Sequence, residues 1–363
     1  MNSEPMIRRI MERPPAWLPL RSKQGDIIIS CRIRLARNLQ YFPFPLNASA
    51  SVRGEIANTF FSAMETLKDG EKWQRLALAP IHENTIRLLF ERKLISREFL
   101  TREPGRFLAL SPDPRLSVMI NEEDHLRMQY CRAGEHLRES WKKLSAFDTE
   151  LQKVLPFAFI PGQGYATSCP TNLGTGIRAS LMMHLPALRL LDRLGTLSNG
   201  LSALGLTARG LDGEGSKFAG NLFQISNQST LGESEDAIID RLCAATYDIE
   251  QAEREAREEL QTGPGRIRLL DCCSRAYANL RHAYLISTEE TLNLLSYLRL
   301  GVDLGLFSKI RLFDINRMIL LLQPAHLCFQ AGKILDPMER AEYRASMLRN
   351  ILGSGTATDS KQS

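Results

Sequence analysis

The sequence predicts an α+β chain with an all-helical C-terminal part, and three observations carry the prediction. Between residues 26 and 226, short apolar runs of strand length recur, bounded by turn-forming residues. Among them lie two longer stretches, Ser51–Lys68 and Glu135–Leu155, whose apolar residues repeat at helical spacing. From Glu233 onward the pattern is wholly helical. The 363 residues suffice for two domains with sizeable cores.

Residues 1–25, rich in Pro and Arg, read as a loose lead-in with one helical turn near Met6–Glu12. Asp26–Ser30 reads as a strand running into Cys31-Arg-Ile-Arg-Leu-Ala-Arg37, where Arg32 and Arg34 share a face because strand side chains repeat every two residues. Two guanidinium groups on one face suit a phosphate, although an exposed basic strand edge would look the same. Arg106–Leu110 and Leu116–Ile120 form a strand pair around the turn-rich Ser111–Pro114. Phe157–Ile160 and Tyr165–Thr167 read as a hairpin opening into the loop Ser168–Gly176. A helix is expected next, carrying Ile177, Leu181, Leu185 and Leu188, with a kink or break at Pro186. That helix would put Arg178 in its first turn, where an anion would relieve the conflict with the dipole. Leu206–Arg209 and Asn221–Ser226 read as strands bracketing Gly210–Ser216, a glycine-rich loop that is either a mobile cover with Glu214 at its tip or a plain hairpin loop. Asp236–Leu260 is one long helix, Gly263-Pro-Gly265 a break, and residues 266–350 four or five Leu-rich helices. The boundaries expected are a lead-in at 1–25, an α+β domain at 26–260, a helical domain at 266–352 and a disordered tail at 353–363.

Chemistry concentrates in Asn121-Glu-Glu-Asp-His-Leu-Arg127, at the exit of an apolar run. Alone, such an acidic cluster is more often a solvated turn. It is accompanied by arginines at four further strand ends or loops: Arg32, Arg34, Arg178 and Arg209. No GxxxxGK[ST] loop, HRD or DFG string, or GxGxxG fingerprint is present. Phosphoryl transfer needs charge neutralisation and alignment, which an arginine cage and paired carboxylates would supply to a guanidinium nucleophile. A net charge of +5 suggests anionic ligands weakly and does not indicate nucleic acid. No run of eighteen apolar residues would span a membrane, and the start lacks an apolar signal region, so a cytoplasmic protein is expected. Seven cysteines without a CxxC pair fit reduced thiols.

The strings Ser30-Cys-Arg-Ile-Arg34, Asn121–Arg127, Ser168-Cys-Pro-Thr-Asn-Leu-Gly-Thr-Gly-Ile-Arg178 and Arg209 through Ser226-Asn227 together resemble the phosphagen (guanidino) kinase family. The Gly213-Glu-Gly-Ser216 loop, Met182-Met-His-Leu-Pro186, the short front end and the helical C-terminal part resemble its bacterial McsB-type protein arginine kinases. The resemblance implies an antiparallel sheet flanked by helices, ATP and Mg2+ as cofactors, and arginine side chains of proteins as acceptors. A kinase of free arginine or another small guanidine is the alternative; a non-catalytic phosphoarginine-binding adaptor is the rival of another class. By the resemblance, Glu123 and Glu214 hold the acceptor guanidinium, one as base, and Cys169 is the family's reactive cysteine. Nucleotide contacts carry over to Ser30, Cys31, Arg32, Ile33, Arg34, Lys93 and Arg127, to Arg178, Ala179, Ser180, Leu181 and Met182, and to Arg209, Gly210, Leu211, Asp212, Gly213 and Glu214. A homodimer, an activator protein and a Clp-type protease are implied as partners, without nucleic acid or membrane.

Three departures stand out. Cys31 replaces a serine, and Lys93 in Lys93-Leu-Ile-Ser96 replaces the family's adenine-side histidine. The family's phosphoarginine-binding RDxxRA string is Arg340-Ala-Glu-Tyr-Arg-Ala345, so Arg340 and Arg344 remain while the Asp is missing. Cys169 has a physical rationale, since a helix N-terminus lowers a thiol pKa, but a small buried residue before Pro170 is the other reading. His82, His136, His282, His326 and Cys272-Cys273 lack ligand spacing, and no metal site built from side chains is expected.

Overall fold

In the computed structural model, which describes residues 4–18, 26–210 and 219–353, the chain wraps one eight-stranded antiparallel sheet. In chain order the strands are β1 (Ile28–Arg37), β2 (Gln74–Ala77), β3 (Phe107–Leu110), β4 (Leu116–Ile120), β5 (Leu126–Ala133), β8 (Ile177–His184), β9 (Leu206–Arg209) and β10 (Leu222–Asn227). A separate two-stranded hairpin pairs β6 (Phe159–Ile160) with β7 (Gly164–Tyr165). The spatial order is β2-β3-β4-β5-β1-β8-β10-β9, which puts β1 and β8 at the centre.

The helices are α1 (Glu4–Glu12), α2 (Ala50–Thr66), α3 (Glu83–Glu91), α4 (Leu137–Gln152), α5 (Pro186–Leu190), α6 (Leu194–Ala203), α7 (Glu235–Thr262), α8 (Arg266–His282), α9 (Thr288–Asp303), α10 (Leu312–Leu321), α11 (Pro324–Ala331) and α12 (Pro337–Gly353). Serines cap three of them: Ser49, Ser234 and Ser287 accept from the N–H groups of Val52, Ala237 and Glu290. Among the described residues no helix is long and apolar enough to cross a membrane.

Alternation decides which side chains meet which layer. On one sheet face Cys31, Ile33, Leu35, Met128, Ala179, Leu181 and Ile225 join the main core with α2, α4 and α7. Among the described residues the opposite face is covered mainly towards its ends. Leu76, Leu108 and Met119 pack there with α3 and Ile7 of α1, and Ile29 and Leu222 pack with α9 to α12. Between those covers the middle of the face carries polar side chains.

The lead-in is docked where it is described. Ile7 is buried, and Trp17 donates its indole N–H to the Arg92 carbonyl at 3.0 Å. The larger correction concerns residues 177–184, expected as helix and found as the central strand β8. Apolar residues four apart share a face under both a 3.6- and a 2-residue period, so Ile177, Leu181 and Leu185 could not discriminate. Pairing to β1 on one side and β10 on the other settles it. Pro186 does not kink a helix; it starts α5, where its missing N–H costs nothing. Residues 211–218, which include Leu211, Asp212, Gly213 and Glu214, lie outside the described residues, as do most of the expected 353–363 tail and parts of the lead-in.

Candidate active site

Register places all five singled-out arginines on the polar sheet face. Arg34 lies opposite Arg178 on β8 and Gln129 on β5, Arg32 lies opposite Ser180 and Cys131, and Arg127 lies opposite Ala36. Continuing the pairing, Ser180 meets Ser226, and Gln224 meets Arg209 on β9. From β5 to β9 is four strand spacings, about 19 Å at roughly 4.8 Å each. Arg178 therefore owes its place to strand alternation and not to a helix dipole, which corrects the first-turn expectation.

The cage is electrostatically unfinished. Arg34 is held well below the usual guanidinium range, by burial first and then by Arg32, Arg127 and Arg178. Burial likewise lowers Arg32, whose Nη2 donates to Gln224 Oε1 at 3.2 Å. The Nε atoms of Arg34 and Arg127 are buried without a hydrogen-bond partner. Converging cations with unused donors favour a polyanion. Gln224 was not singled out in the sequence; its only signal is its parity on β10.

The hairpin between β4 and β5 assigns each residue of Asn121–Arg127 its own task. Asn121 takes a left-handed φ of 62°, tolerable for Asn, and its Nδ2 donates to the Arg53 and Gly105 carbonyls. Glu122, whose side chain is 2% exposed, faces Arg127 Nη1 at 3.5 Å and accepts from the Glu123 N–H. Burial opposes its charge, yet Arg127 and smaller contributions, among them the Glu123 N–H and Arg34, together outweigh it and lower its pKa. Glu123, 41% exposed, lies 3.6 Å from the same nitrogen. Its pKa is raised by burial, then by Asp124 and Glu122 against the pull of Arg127. Of the two neighbours, only Glu123 is presented to a ligand.

Asp124 and His125 brace this hairpin. Asp124 Oδ1 accepts from Asn38 Nδ2 and the Ser168 N–H, both at 2.7 Å. His125 Nδ1 accepts from the Leu39 N–H, so Nε2 carries the proton that it donates to the Pro43 carbonyl at 2.9 Å. Ser168 Oγ donates to the Glu123 carbonyl, and the Cys169 loop is thereby tied to the Glu123 hairpin. Cys169 precedes a three-residue 3-10 turn, so the α-helix N-terminus expected after it is not there. Its Sγ lies 3.0 Å from Thr171 Oγ1.

Other expected contacts divide. Cys31, Ile33, Ala179 and Leu181 turn into the core, leaving only backbone for a ligand. Ser30, Arg32, Lys93, Ser180 and Met182 line one small cavity with Trp17 and Gln224. Gly210 is buried beside β9. On α12, Arg344 is 2% exposed and each of its guanidinium nitrogens donates to a protein oxygen: Leu322 O, Ile286 O and Thr288 Oγ1. Burial, then Arg340, lowers its pKa to about 10. Arg340 donates to the Leu335 carbonyl. Among the described residues no group of three or more His, Cys, Asp or Glu is placed to hold a metal ion.

Comparison with known proteins bears on the family and the fold. The profile of the ATP:guanido phosphotransferase C-terminal catalytic domain matches residues 55–256, and that of the protein-arginine kinase McsB C-terminal domain matches residues 266–363. The chain is 40% identical over 345 residues to a protein-arginine kinase of Moorella thermoacetica, covering 94% of this chain and 98% of that one. It is 42% identical over 341 residues to one of Symbiobacterium thermophilum, covering 93% and 96%. Among solved structures, the duplicated taurocyamine kinase from Schistosoma mansoni with bound transition state analog components aligns with a TM-score of 0.59 at 25% identity, over 66% of this chain and 35% of that one. Lombricine kinase aligns with a TM-score of 0.57 at 21% identity, over 65% and 69%.

Proposed function

The chain belongs to the ATP:guanido phosphotransferase family, in its protein-arginine kinase branch, and on that footing we propose that it transfers the γ-phosphoryl group of ATP to arginine side chains of proteins. The observation that carries the reading is one sheet face with five arginines beside a presented glutamate of raised pKa. The triphosphate lies across the cage, and the base enters the cavity of Trp17, Lys93 and Met182. Glu123 accepts hydrogen bonds from the guanidinium, fixes its plane and takes the proton that leaves as nitrogen attacks phosphorus. Glu214 is assigned the same guanidinium from the family, and Cys169 a place beside it. Among the described residues no carboxylate cluster would hold Mg2+, so it would fit here as an ion carried by the phosphates and would supply charge neutralisation.

The test is the product's chemistry. Label transferred from ATP to a casein-like protein should vanish after brief acid treatment, because phosphorus–nitrogen bonds hydrolyse in acid. Acid-stable label would mean hydroxyl phosphorylation, and label on free arginine alone would favour the small-guanidine alternative.

The cage itself makes a second prediction. Arg34→Gln removes a buried cation crowded by three others, so the nucleotide-free protein should melt no lower than the parent. ATP affinity should fall about ten- to a hundredfold by calorimetry, the worth of a charged hydrogen bond. A variant that melts lower and binds ATP normally would contradict the cage.

The helical part is assigned dimerisation, in keeping with exposed Tyr284, Leu285, Ile334 and Met338. An activator protein and a Clp-type protease come from the family alone, and a cytoplasmic setting fits seven unpaired cysteines. At Arg340–Ala345 weak or absent phosphoarginine binding is expected. The Asp is missing, and the donors of Arg344 are engaged by protein oxygens. Phosphoarginine titrated into a Glu123→Gln, Glu214→Gln double variant measures it; tight binding lost in Arg344→Ala would overturn the expectation.

A further inference from the structure

A second cavity, of about 190 Å3, lies under the N-terminal segment on the same sheet face as the arginine cage but towards β2. Its floor includes Gln74 on β2, Ser117 on β4 and Gln129 on β5, which the register aligns on one side. Its roof is the end of α1, the segment to Trp17 and the turn Arg92–Leu94 after α3. Six cations line it, Arg9, Arg13, Lys72, Arg92, Lys93 and Arg115, and among the described residues no Asp or Glu does.

Two of the six are already matched, Lys72 by Asp69 and Arg115 by Asp113. Arg9, Arg13 and Arg92 have no ion pair among the described residues. Arg92 is the decisive one, at 4% exposure. One of its terminal nitrogens donates to the Arg13 carbonyl, and its Nε is buried without a hydrogen-bond partner. Burial alone pulls this guanidinium down to about 10. Buried charges are normally paired, so a cation held this way in a cavity that Arg9 and Arg13 also line calls for an anion from outside. Opposite the polar floor, the apolar part of the wall includes Trp17, Leu94, Pro14 and Pro112.

We propose that this cavity is a ligand site distinct from the arginine cage, and that it takes a small organic phosphate with a flat apolar body. The phosphate meets Arg92, Arg9 and Arg13, and the body lies along Trp17 and the prolines. Trp17 and Lys93 also line the cavity with Ser30 and Arg32, and Gln129 Nε2 holds the carbonyls of Lys93 and Leu94 between the two spaces. A ligand here is therefore coupled to nucleotide binding, and the coupling acts equally in both directions.

Phenyl phosphate is the probe, titrated calorimetrically into the full chain without nucleotide and again with saturating ADP. One-to-one binding is expected in both conditions, weakened about tenfold or more in Arg92→Gln. Because Arg92 is buried and its variant could fail to fold, an Arg9→Ala, Arg13→Ala double variant at exposed positions provides a second reading. It should lose affinity for the probe while keeping its melting temperature and its kinase turnover. Absence of binding, binding abolished by ADP, or affinity unchanged in the double variant would each overturn the proposal. Inorganic phosphate binding as tightly as phenyl phosphate would overturn the flat-bodied ligand class.

Discussion

Glu123→Gln is expected to slow phosphoryl transfer by about 10²–10⁴-fold, the usual contribution of a positioned proton acceptor, while ATP affinity stays near that of the parent. The amide keeps the shape and one acceptor oxygen but cannot take the proton. Glu123 is the presented carboxylate at 41% exposure, against 2% for Glu122, so the two glutamates should fail differently. Glu122→Gln removes the buried counter-ion of Arg127 and should lower thermal stability and ATP affinity together. The pH profile separates the roles further. Burial and the neighbouring carboxylates raise Glu123, and a base works only when deprotonated. The acid limb of kcat/KM should therefore lie above the ordinary glutamate value of about 4.3. Near-parent turnover in Glu123→Gln, or loss of ATP binding along with turnover, would show that this carboxylate is not the base.

Arg37→Ala should cost about 3–5 kcal/mol of stability, the penalty for breaking a buried ion pair by removing one partner. Arg37 is 1% exposed at the end of β1. It grips Asp148 on α4 through two bonds, Nε to Oδ1 at 3.1 Å and Nη2 to Oδ2 at 2.7 Å. Its Nη1 donates to the carbonyls of Ala36 and Thr175, and its guanidinium lies 3.5 Å from the centre of the Tyr165 ring. Gly176 completes the fit: at φ +68° a Cβ there would come within 2.7 Å of Nη1 and 2.6 Å of the Ala36 carbonyl. The pair thus fastens the central strand to a helix and to the loop after Cys169. Chemical denaturation of Arg37→Ala and Arg37→Lys measures the effect. Lysine keeps the charge but not the two-pronged geometry, so it should recover only part of the loss. An Arg37→Ala variant as stable as the parent would mean that the Asp148 carboxylate tolerates burial alone.

Much of the site was legible because strand alternation is a local property. Asp26–Arg37 declared itself a strand, so the common face of Arg32 and Arg34 followed without any partner in view. The strand before Asn121–Arg127 was likewise visible as an apolar run, and the helices after Gly265 from their Leu-rich spacing, whereas β5 on the far side of the hairpin was not read at all. Residues 177–184 were misread because four-residue spacing fits helix and strand alike; two flanking strands, β1 and β10, supplied the missing decision.

What stayed hidden were properties that depend on distant neighbours. Glu122 and Glu123 are the same residue type one position apart, and only the packing around Arg127 makes one a counter-ion and the other a presented base. Arg340 and Arg344 matched a phosphate-binding string, yet Leu322, Ile286 and Thr288, 22 to 58 residues away, occupy the guanidinium of Arg344. Arg92 carries no local sign of its buried, unpaired charge. Periodicity and residue type determined which side chains could share a face. The tertiary structure decided which charges are paired and which remain open to a ligand, because desolvation and Coulomb energy depend on surroundings that the sequence does not bring together.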